Sequence, residues 1–173
     1  CKKHGINKND LLHTLKNLRH ARVAVIGDTI VDQYAACEPI GLSAEAPVVV
    51  VREISIRNFV GGAAIVAKHI KSLGATVDFL SIIGDDENGI LVKEDLKVNG
   101  IKDNLIIDYS RPTTFKKRYV VENQKLFRVT RLNQSELSKN IEEKVIKELE
   151  NAAEKANGIV ISDFVYGVIT PNI

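Results

Sequence analysis

The stretch RVAVIGD, from Arg22 to Asp28, is a continuous apolar run that ends in a glycine and an aspartate. Such a run is typical of a β-strand that is buried on both faces of a parallel sheet. Two more runs of this kind follow, at 77–83 and 159–161, with segments of helical periodicity between them. Strands that alternate with helices indicate an α/β protein, a parallel sheet with helices on both faces. The predicted helices cover about 8–19, 62–73, 86–99 and 138–156.

Two regions interrupt this alternation. The segment 46–57 is rich in Val and Ile without a helical period, and so are three short runs within 104–130, namely 104–110, 113–121 and 125–132. Residues of this type between turn signals predict β-strands. Because they fall between the βα units, we expect them to form a small antiparallel sheet inserted beside the main one.

Composition excludes several classes of protein. Of the 173 residues, 45% are hydrophobic and 27% charged, which is ordinary for a globular chain. The net charge of +2 is spread along the sequence without a basic block, so we expect no nucleic-acid partner. No apolar stretch approaches the roughly 18 residues of a spanning helix, so no membrane association is expected. Cys1 and Cys37 form no metal-binding or redox spacing, which favours free thiols and a cytoplasmic location.

An aspartate follows each of the three apolar strands. Asp28, Asp85 and Asp163 come directly after runs whose carboxyl ends should meet at one edge of a parallel sheet, where ligands bind in such folds. Asp85 precedes a predicted helix and is interpreted as its N-cap. Asp28 has no such helix after it, and a second carboxylate, Asp32, follows four residues on. We therefore expect at least one of Asp28 and Asp32 to contact a ligand.

Two adjacent glycines, Gly61 and Gly62, precede the predicted helix in FVGGAAIVAKHI (59–70). Glycines there allow close approach of the backbone, and the first N–H groups of a helix attract oxygen-rich groups. The phosphate-binding patterns GxxxxGK[ST] and GxGxxG are absent from the sequence. Acidic strand ends, a glycine pair and an inserted sheet together suit a polyhydroxylated ligand, whose hydroxyls donate to carboxylates.

Seven short motifs occur in order along the chain. They are GDTIVDQY (27–34), SAEAPVVVV (43–51), FVGGAAIVA (59–67), SLGATV (72–77), IIGDDENG (82–89), PTTFKKRYV (112–120) and ISDFVYG (161–167). In order and spacing they resemble the ribokinase-like (PfkB) sugar kinases, and within them the branch that phosphorylates heptose 7-phosphate. The resemblance runs from about residue 8 to the end of the chain.

The resemblance implies a ribokinase-like α/β kinase whose small β-sheet is a lid over a sugar phosphate and a contact between two copies in a homodimer. It also implies that ATP and Mg²⁺ serve the complete kinase, although no recognisable motif in these 173 residues binds either. The substrate-binding residues that it implies are Asp28, Asp32, Gly61, Gly62, Lys116, Arg118, Arg128 and Asp163.

The sequence departs from the family pattern in three places. Ile65 stands where an asparagine is common, and Tyr166 stands where a lysine is usual. The glycine-rich GAGD signature, which carries the family's catalytic base, does not occur before Ile173. We therefore expect the N-terminal half of a kinase domain over 1–173, without a catalytic residue or a metal site. The alternatives are a non-catalytic sugar-phosphate-binding or dimerisation module, and a Rossmann-like oxidoreductase domain, which the missing glycine fingerprint disfavours.

Overall fold

The computed structural model describes residues 2–173, so the free thiol expected at Cys1 lies outside the described residues. Cys37 is a free, buried cysteine. A 3₁₀ turn (Lys2–His4) comes first, and the helices are α1 (Lys8–Leu18), α2 (Ala63–Ser72), α3 (Glu87–Val98) and α4 (Lys139–Ala153). The strands are β1 (Arg22–Gly27), β2 (Thr29–Leu42), β3 (Val49–Gly62), β4 (Thr76–Ile83), β5 (Lys102–Ile107), β6 (Phe115–Val121), β7 (Gln124–Arg131) and β8 (Gly158–Ser162). Within residues 2–173, none of these helices has the length and apolar character of a membrane span.

The main sheet contains four parallel strands in the order β5-β4-β1-β8. Strand alternation divides its side chains between two cores. Phe79 and Val77 of β4 lie in the core that α2 and α3 cover. Leu80 lies in the core on the other face, against Ile141 and Val145 of α4. The predicted parallel sheet with helices on both faces is therefore confirmed.

The second sheet has the order β3-β2-β6-β7. The β2–β3 and β6–β7 pairs are antiparallel hairpins, but the two hairpins join through a parallel pairing of β2 with β6. The predicted small sheet exists, but it is mixed, and the prediction that it is purely antiparallel was wrong. Strand β2 follows β1, and β6 follows β5, so both begin at the carboxyl ends of the main-sheet strands and run in the same direction. They meet where the Val31 N–H donates to the Thr114 carbonyl.

Three local predictions need correction. The run 104–110 was assigned to the small sheet, but β5 pairs with β4 in the main sheet, with Ile106 opposite Ile82. A short apolar run has the same sequence pattern in either sheet, so only the strand with which it pairs shows to which sheet it belongs. Strand β2 was not predicted, because polar residues such as Gln33 and Glu38 interrupt its apolar pattern. The N-cap of α3 is Asp86, whose carboxylate accepts the Gly89 N–H, and not Asp85.

Candidate functional site

A pocket of about 520 Å³ opens between one face of the second sheet and the start of α2. Strand alternation puts Asp32 and Tyr34 of β2 on that face, beside Phe59 and Arg57 of β3. The residues that line the pocket are Asp32, Tyr34, Arg57, Phe59, Val60, Gly61 and Ile65. The pocket thus combines one carboxylate and one guanidinium with an otherwise largely apolar wall.

Asp32 is held in the pocket wall by an ion pair. Its Oδ1 accepts a hydrogen bond from Nη1 of Arg118, which reaches across from β6. Only 22% of the Asp32 side chain and 16% of the Arg118 side chain are exposed. The Arg118 guanidinium also lies 5.2 Å from the ring centroid of Tyr34, and that ring meets Phe59 edge-on at 5.8 Å. Since a carboxylate has about four acceptor sites, most of those on Asp32 are left for hydroxyl groups in the pocket.

The two glycines serve different purposes. A Cβ on Gly61 would lie 2.9 Å from Oδ2 of Asp32, so a side chain at that position would displace the carboxylate. Gly62 has φ +61, and a Cβ on it would lie 2.2 Å from the carbonyl oxygen of Asp28. That same carbonyl accepts the Ala63 N–H, the first of α2, at 2.8 Å. Gly61 therefore keeps the Asp32 carboxylate open to the pocket, and Gly62 makes the sharp entry into the helix.

Two more predicted site residues lie on the same face of the second sheet. Lys116 precedes Arg118 by two residues on β6, and Arg128 of β7 stands directly opposite Arg118. Lys116 is only 9% exposed, and its Nζ lies 4.7 Å from the ring centroid of Tyr166. Arg128 is exposed. The structure thus brings Lys116 and Arg118 together with Asp32, and Arg128 lies exposed beside Arg118.

Asp28 and Asp163 do not point into this pocket as free groups. The Asp28 carboxylate is buried and accepts three backbone N–H groups of the loop after β8, from Phe164 at 2.7 Å, Tyr166 at 3.2 Å and Val168 at 3.1 Å. Asp163 is exposed and accepts the Val165 N–H of its own turn. The expected meeting of carboxylates at the sheet edge is therefore replaced by one anchoring aspartate, Asp28, and one turn aspartate.

Sequence reasoning missed the aromatic wall of the pocket. Tyr34 and Phe59 received no role, although each lies in a quoted motif. The signal was the spacing of two between Asp32 and Tyr34, which puts both side chains on one face of a strand. That signal becomes readable only once 29–42 is recognised as a strand.

The described part of the chain shows no cluster of metal-binding side chains. Among residues 2–173, no three side chains of His, Cys, Asp or Glu lie close enough together to hold a metal ion. Asp32, the carboxylate beside Lys116 and Arg118, is paired with Arg118. These residues do not fit an Mg²⁺ site of their own.

Comparison with known proteins identifies the family. The model of the pfkB family of carbohydrate kinases matches residues 20–171, and the chain belongs to that family. It is similar to the bifunctional protein HldE of Campylobacter jejuni subsp. doylei, with 34% identity over 88% of the chain and 32% of that protein. The HldE of Geobacter sulfurreducens is 34% identical over 86% of the chain and 31% of that protein. The chain thus spans about a third of the length of these curated relatives.

Solved structures share the fold. A putative phosphofructokinase from Staphylococcus aureus superimposes with a TM-score of 0.66 at 15% identity, over 86% of the chain and 45% of that structure. A carbohydrate kinase from Agrobacterium tumefaciens gives a TM-score of 0.63 at 15% identity, over 82% of the chain and 45% of that structure. The ribokinase-like fold is therefore confirmed, and the chain corresponds to somewhat less than half of such a domain.

Proposed function

We propose that this chain is the sugar-binding part of an ATP-dependent carbohydrate kinase, which transfers the γ-phosphoryl group of ATP to a hydroxyl of a sugar phosphate. Membership of the pfkB family supports the reaction class. The observation that carries the proposal is the Asp32 carboxylate, fixed by Arg118 in the wall of a 520 Å³ pocket and left uncovered by Gly61. An oriented carboxylate of this kind accepts hydrogen bonds from sugar hydroxyls and so positions the acceptor for transfer.

The substrate that we propose is a sugar that already carries a phosphate, specifically heptose 7-phosphate. Lys116, Arg118 and Arg128 stand with Arg57 on one face of the second sheet, and within residues 2–173 only Arg118 of these four is paired with a carboxylate. The excess positive charge suits a phosphate ester, which guanidinium and ammonium groups bind through charge-assisted hydrogen bonds. The aromatic wall of Tyr34 and Phe59 suits the C–H face of a sugar ring. The resemblance of the motifs to the heptose-phosphate branch of the family supports this choice.

The residues of this chain can meet one of the three requirements of phosphoryl transfer. Phosphoryl transfer needs a positioned hydroxyl, a base for its proton, and groups that stabilise charge on the γ-phosphate. In this proposal the chain supplies the first of these through Asp32 and Gly61, and the second sheet covers the sugar as a lid. ATP, its Mg²⁺ ion and the base belong to a part of the kinase outside residues 1–173. No step of that chemistry is assigned to Asp28 or Asp163.

Two further properties belong to the proposal. The face of the second sheet that points away from the pocket carries exposed apolar side chains, including Ile56, Phe127 and Val129. An apolar sheet face needs a cover, and we propose that two copies of the lid pair there in a homodimer in the cytoplasm. Sedimentation at increasing protein concentration measures this directly, and a monomer at all concentrations would contradict it.

A coupled ADP-release assay tests the reaction. We expect no ATP-dependent phosphorylation of heptose 7-phosphate by the 173-residue chain, because a carboxylate alone gives at most about 10²–10⁴-fold of base catalysis. The protein extended past Ile173 should turn over. Turnover by the short chain would show that the catalytic groups lie within it. Absence of turnover by the long protein with any sugar phosphate would refute the kinase proposal.

A further inference from the structure

Lys116 is a largely buried residue whose ammonium has no carboxylate partner in the part of the chain that the structure describes. Only 9% of Lys116 is exposed. Among residues 2–173, no Asp or Glu oxygen lies within ion-pair distance of the Lys116 Nζ, and Nζ makes no hydrogen bond with any of these residues. Asp32, its register neighbour on β2, is paired with Arg118 instead. The neighbouring Lys117, on the opposite face, has an ordinary ion pair with Glu53 at 2.9 Å. Most of the Lys116 side chain is thus buried, while its ammonium has no carboxylate beside it among the described residues to neutralise the charge.

The Lys116 ammonium lies over the ring of Tyr166, 4.7 Å from its centroid. An aromatic face attracts a cation through its quadrupole. Unlike a carboxylate, the ring carries no net charge, so the attraction fixes the ammonium without cancelling its positive charge. A lysine held in this way remains available to an anion, whereas one in a salt bridge would first have to give up its partner.

The loop that carries Tyr166 is held rigidly. Asp28 accepts three of its N–H groups, including that of Tyr166 itself at 3.2 Å. Val165 has φ +62, a conformation that β-branched residues rarely adopt, and its carbonyl accepts a hydrogen bond from Gln134. Backbone strain of this kind persists only where the surrounding contacts fix it. Asp28 thus fixes the backbone from which the Tyr166 ring projects.

We propose that Tyr166 is a positioning residue, which Asp28 anchors and which aims the Lys116 ammonium at the phosphate of the bound sugar. The inference rests on the proposed function and deepens it, because it assigns Lys116 to the anionic end of the substrate. It also gives Asp28 a role that replaces the expected contact with sugar hydroxyls. Tyr166 itself contacts the lysine and not the substrate.

A double-mutant cycle in the protein at its native length tests the inference. The probes are heptose 7-phosphate and heptose without the phosphate, with affinity measured by calorimetry. Lys116→Met should weaken binding of the phosphate ester by about ten- to hundred-fold, the effect of losing a hydrogen bond to a charged group, and leave the unphosphorylated sugar nearly unchanged. Tyr166→Leu should weaken binding of the ester by about three- to five-fold, and Tyr166→Phe should restore it, because phenylalanine keeps the aromatic face.

The coupling between the two positions decides the outcome. In the Lys116→Met background, Tyr166→Leu should cause no further loss, since the ring then has no cation to hold. A loss of equal size in both backgrounds, or no loss from Tyr166→Leu in the wild-type background, overturns the inference. Lys117→Met is the matched control, and we expect it to leave the affinity for the ester unchanged. If the wild type binds neither sugar, the proposed function fails and this inference fails with it.

A second variant tests the anchor. Asp28→Asn keeps the shape of the side chain but turns one acceptor oxygen into a donor that faces the loop N–H groups. We expect the folded protein, checked by thermal denaturation, to lose affinity for the ester to about the same extent as Tyr166→Leu. Wild-type affinity in a folded Asp28→Asn variant would show that the loop does not depend on Asp28.

Discussion

Replacement of Asp32 by alanine removes the carboxylate on which the sugar site depends. Its Oδ1 is engaged by Arg118, and its Oδ2 faces the space that Gly61 leaves open. A hydrogen bond to a charged group contributes about 1.5–3 kcal/mol, so loss of the contact to substrate hydroxyls should weaken binding by about ten- to hundred-fold. The same change leaves Arg118 without its partner. Because both side chains are largely buried, we expect a loss of about 1–3 kcal/mol in the free energy of unfolding.

Calorimetry with a sugar phosphate and thermal denaturation separate the two effects. The chain offers a matched control, because Glu53 makes a comparable ion pair with Lys117 on the opposite face of the same sheet. Glu53→Ala should lower stability slightly, by about 0–1 kcal/mol for a partly exposed pair, and leave binding unchanged. If Asp32→Ala binds the sugar phosphate as the wild type does, Asp32 is not part of the site and the pocket has been assigned wrongly. If Glu53→Ala weakens binding as much, the effect belongs to the sheet and not to the carboxylate.

Three other predictions follow from single contacts. Gly61→Ala should keep the fold, since its backbone is ordinary, but weaken sugar-phosphate binding measurably in calorimetry because its Cβ lies 2.9 Å from Asp32; unchanged affinity would contradict the role of Gly61. Gly62→Ala should instead cost about 3 kcal/mol or more of stability, because of its positive φ and the backbone clash, and a normal melting temperature would refute this. Hydrogen bonding from Arg22 lowers the pKa of Asp78 below 3.8, so this pair stabilises the fold above about pH 4 and its contribution falls as pH drops through the lowered pKa. Asp78→Asn should therefore be less stable than the wild type at pH 7, with the difference shrinking below about pH 4 in denaturant titrations.

Local sequence patterns predict the helices and three of the four main-sheet strands, β1, β4 and β8, but not the place of β5 in that sheet. Helix α1 is one example, predicted over about 8–19 and found at Lys8–Leu18 with Asn7 as its cap. The buried strands β1 and β4 are another, because continuous apolar runs of that length have few other stable arrangements. These features depend on periodicity and capping, which act between residues close in the chain. The family resemblance followed from the same local motifs.

The sequence also supplied part of the site. Asp32, Gly61 and Arg118 lie in motifs, and the structure places Asp32 and Gly61 in the pocket wall and pairs Arg118 with Asp32. Their grouping depends on the pairing of β2 with β3 and β6, and that pairing was not readable locally. The mixed character of the second sheet has the same origin, since a parallel pairing of β2 with β6 needs both strands to leave the main sheet at one edge.

The contacts of Asp28 and Tyr166 depend on the tertiary fold and could not be read from local sequence. The strand-end position of Asp28 predicted a ligand contact, but its carboxylate accepts the N–H of Phe164, which is 136 residues away in the chain. Lys116 and Tyr166 likewise meet only because the loop after β8 folds against β6. Hydrogen bonds and cation–π contacts act over a few ångströms in space, so a sequence can show which groups are available but not which of them become neighbours.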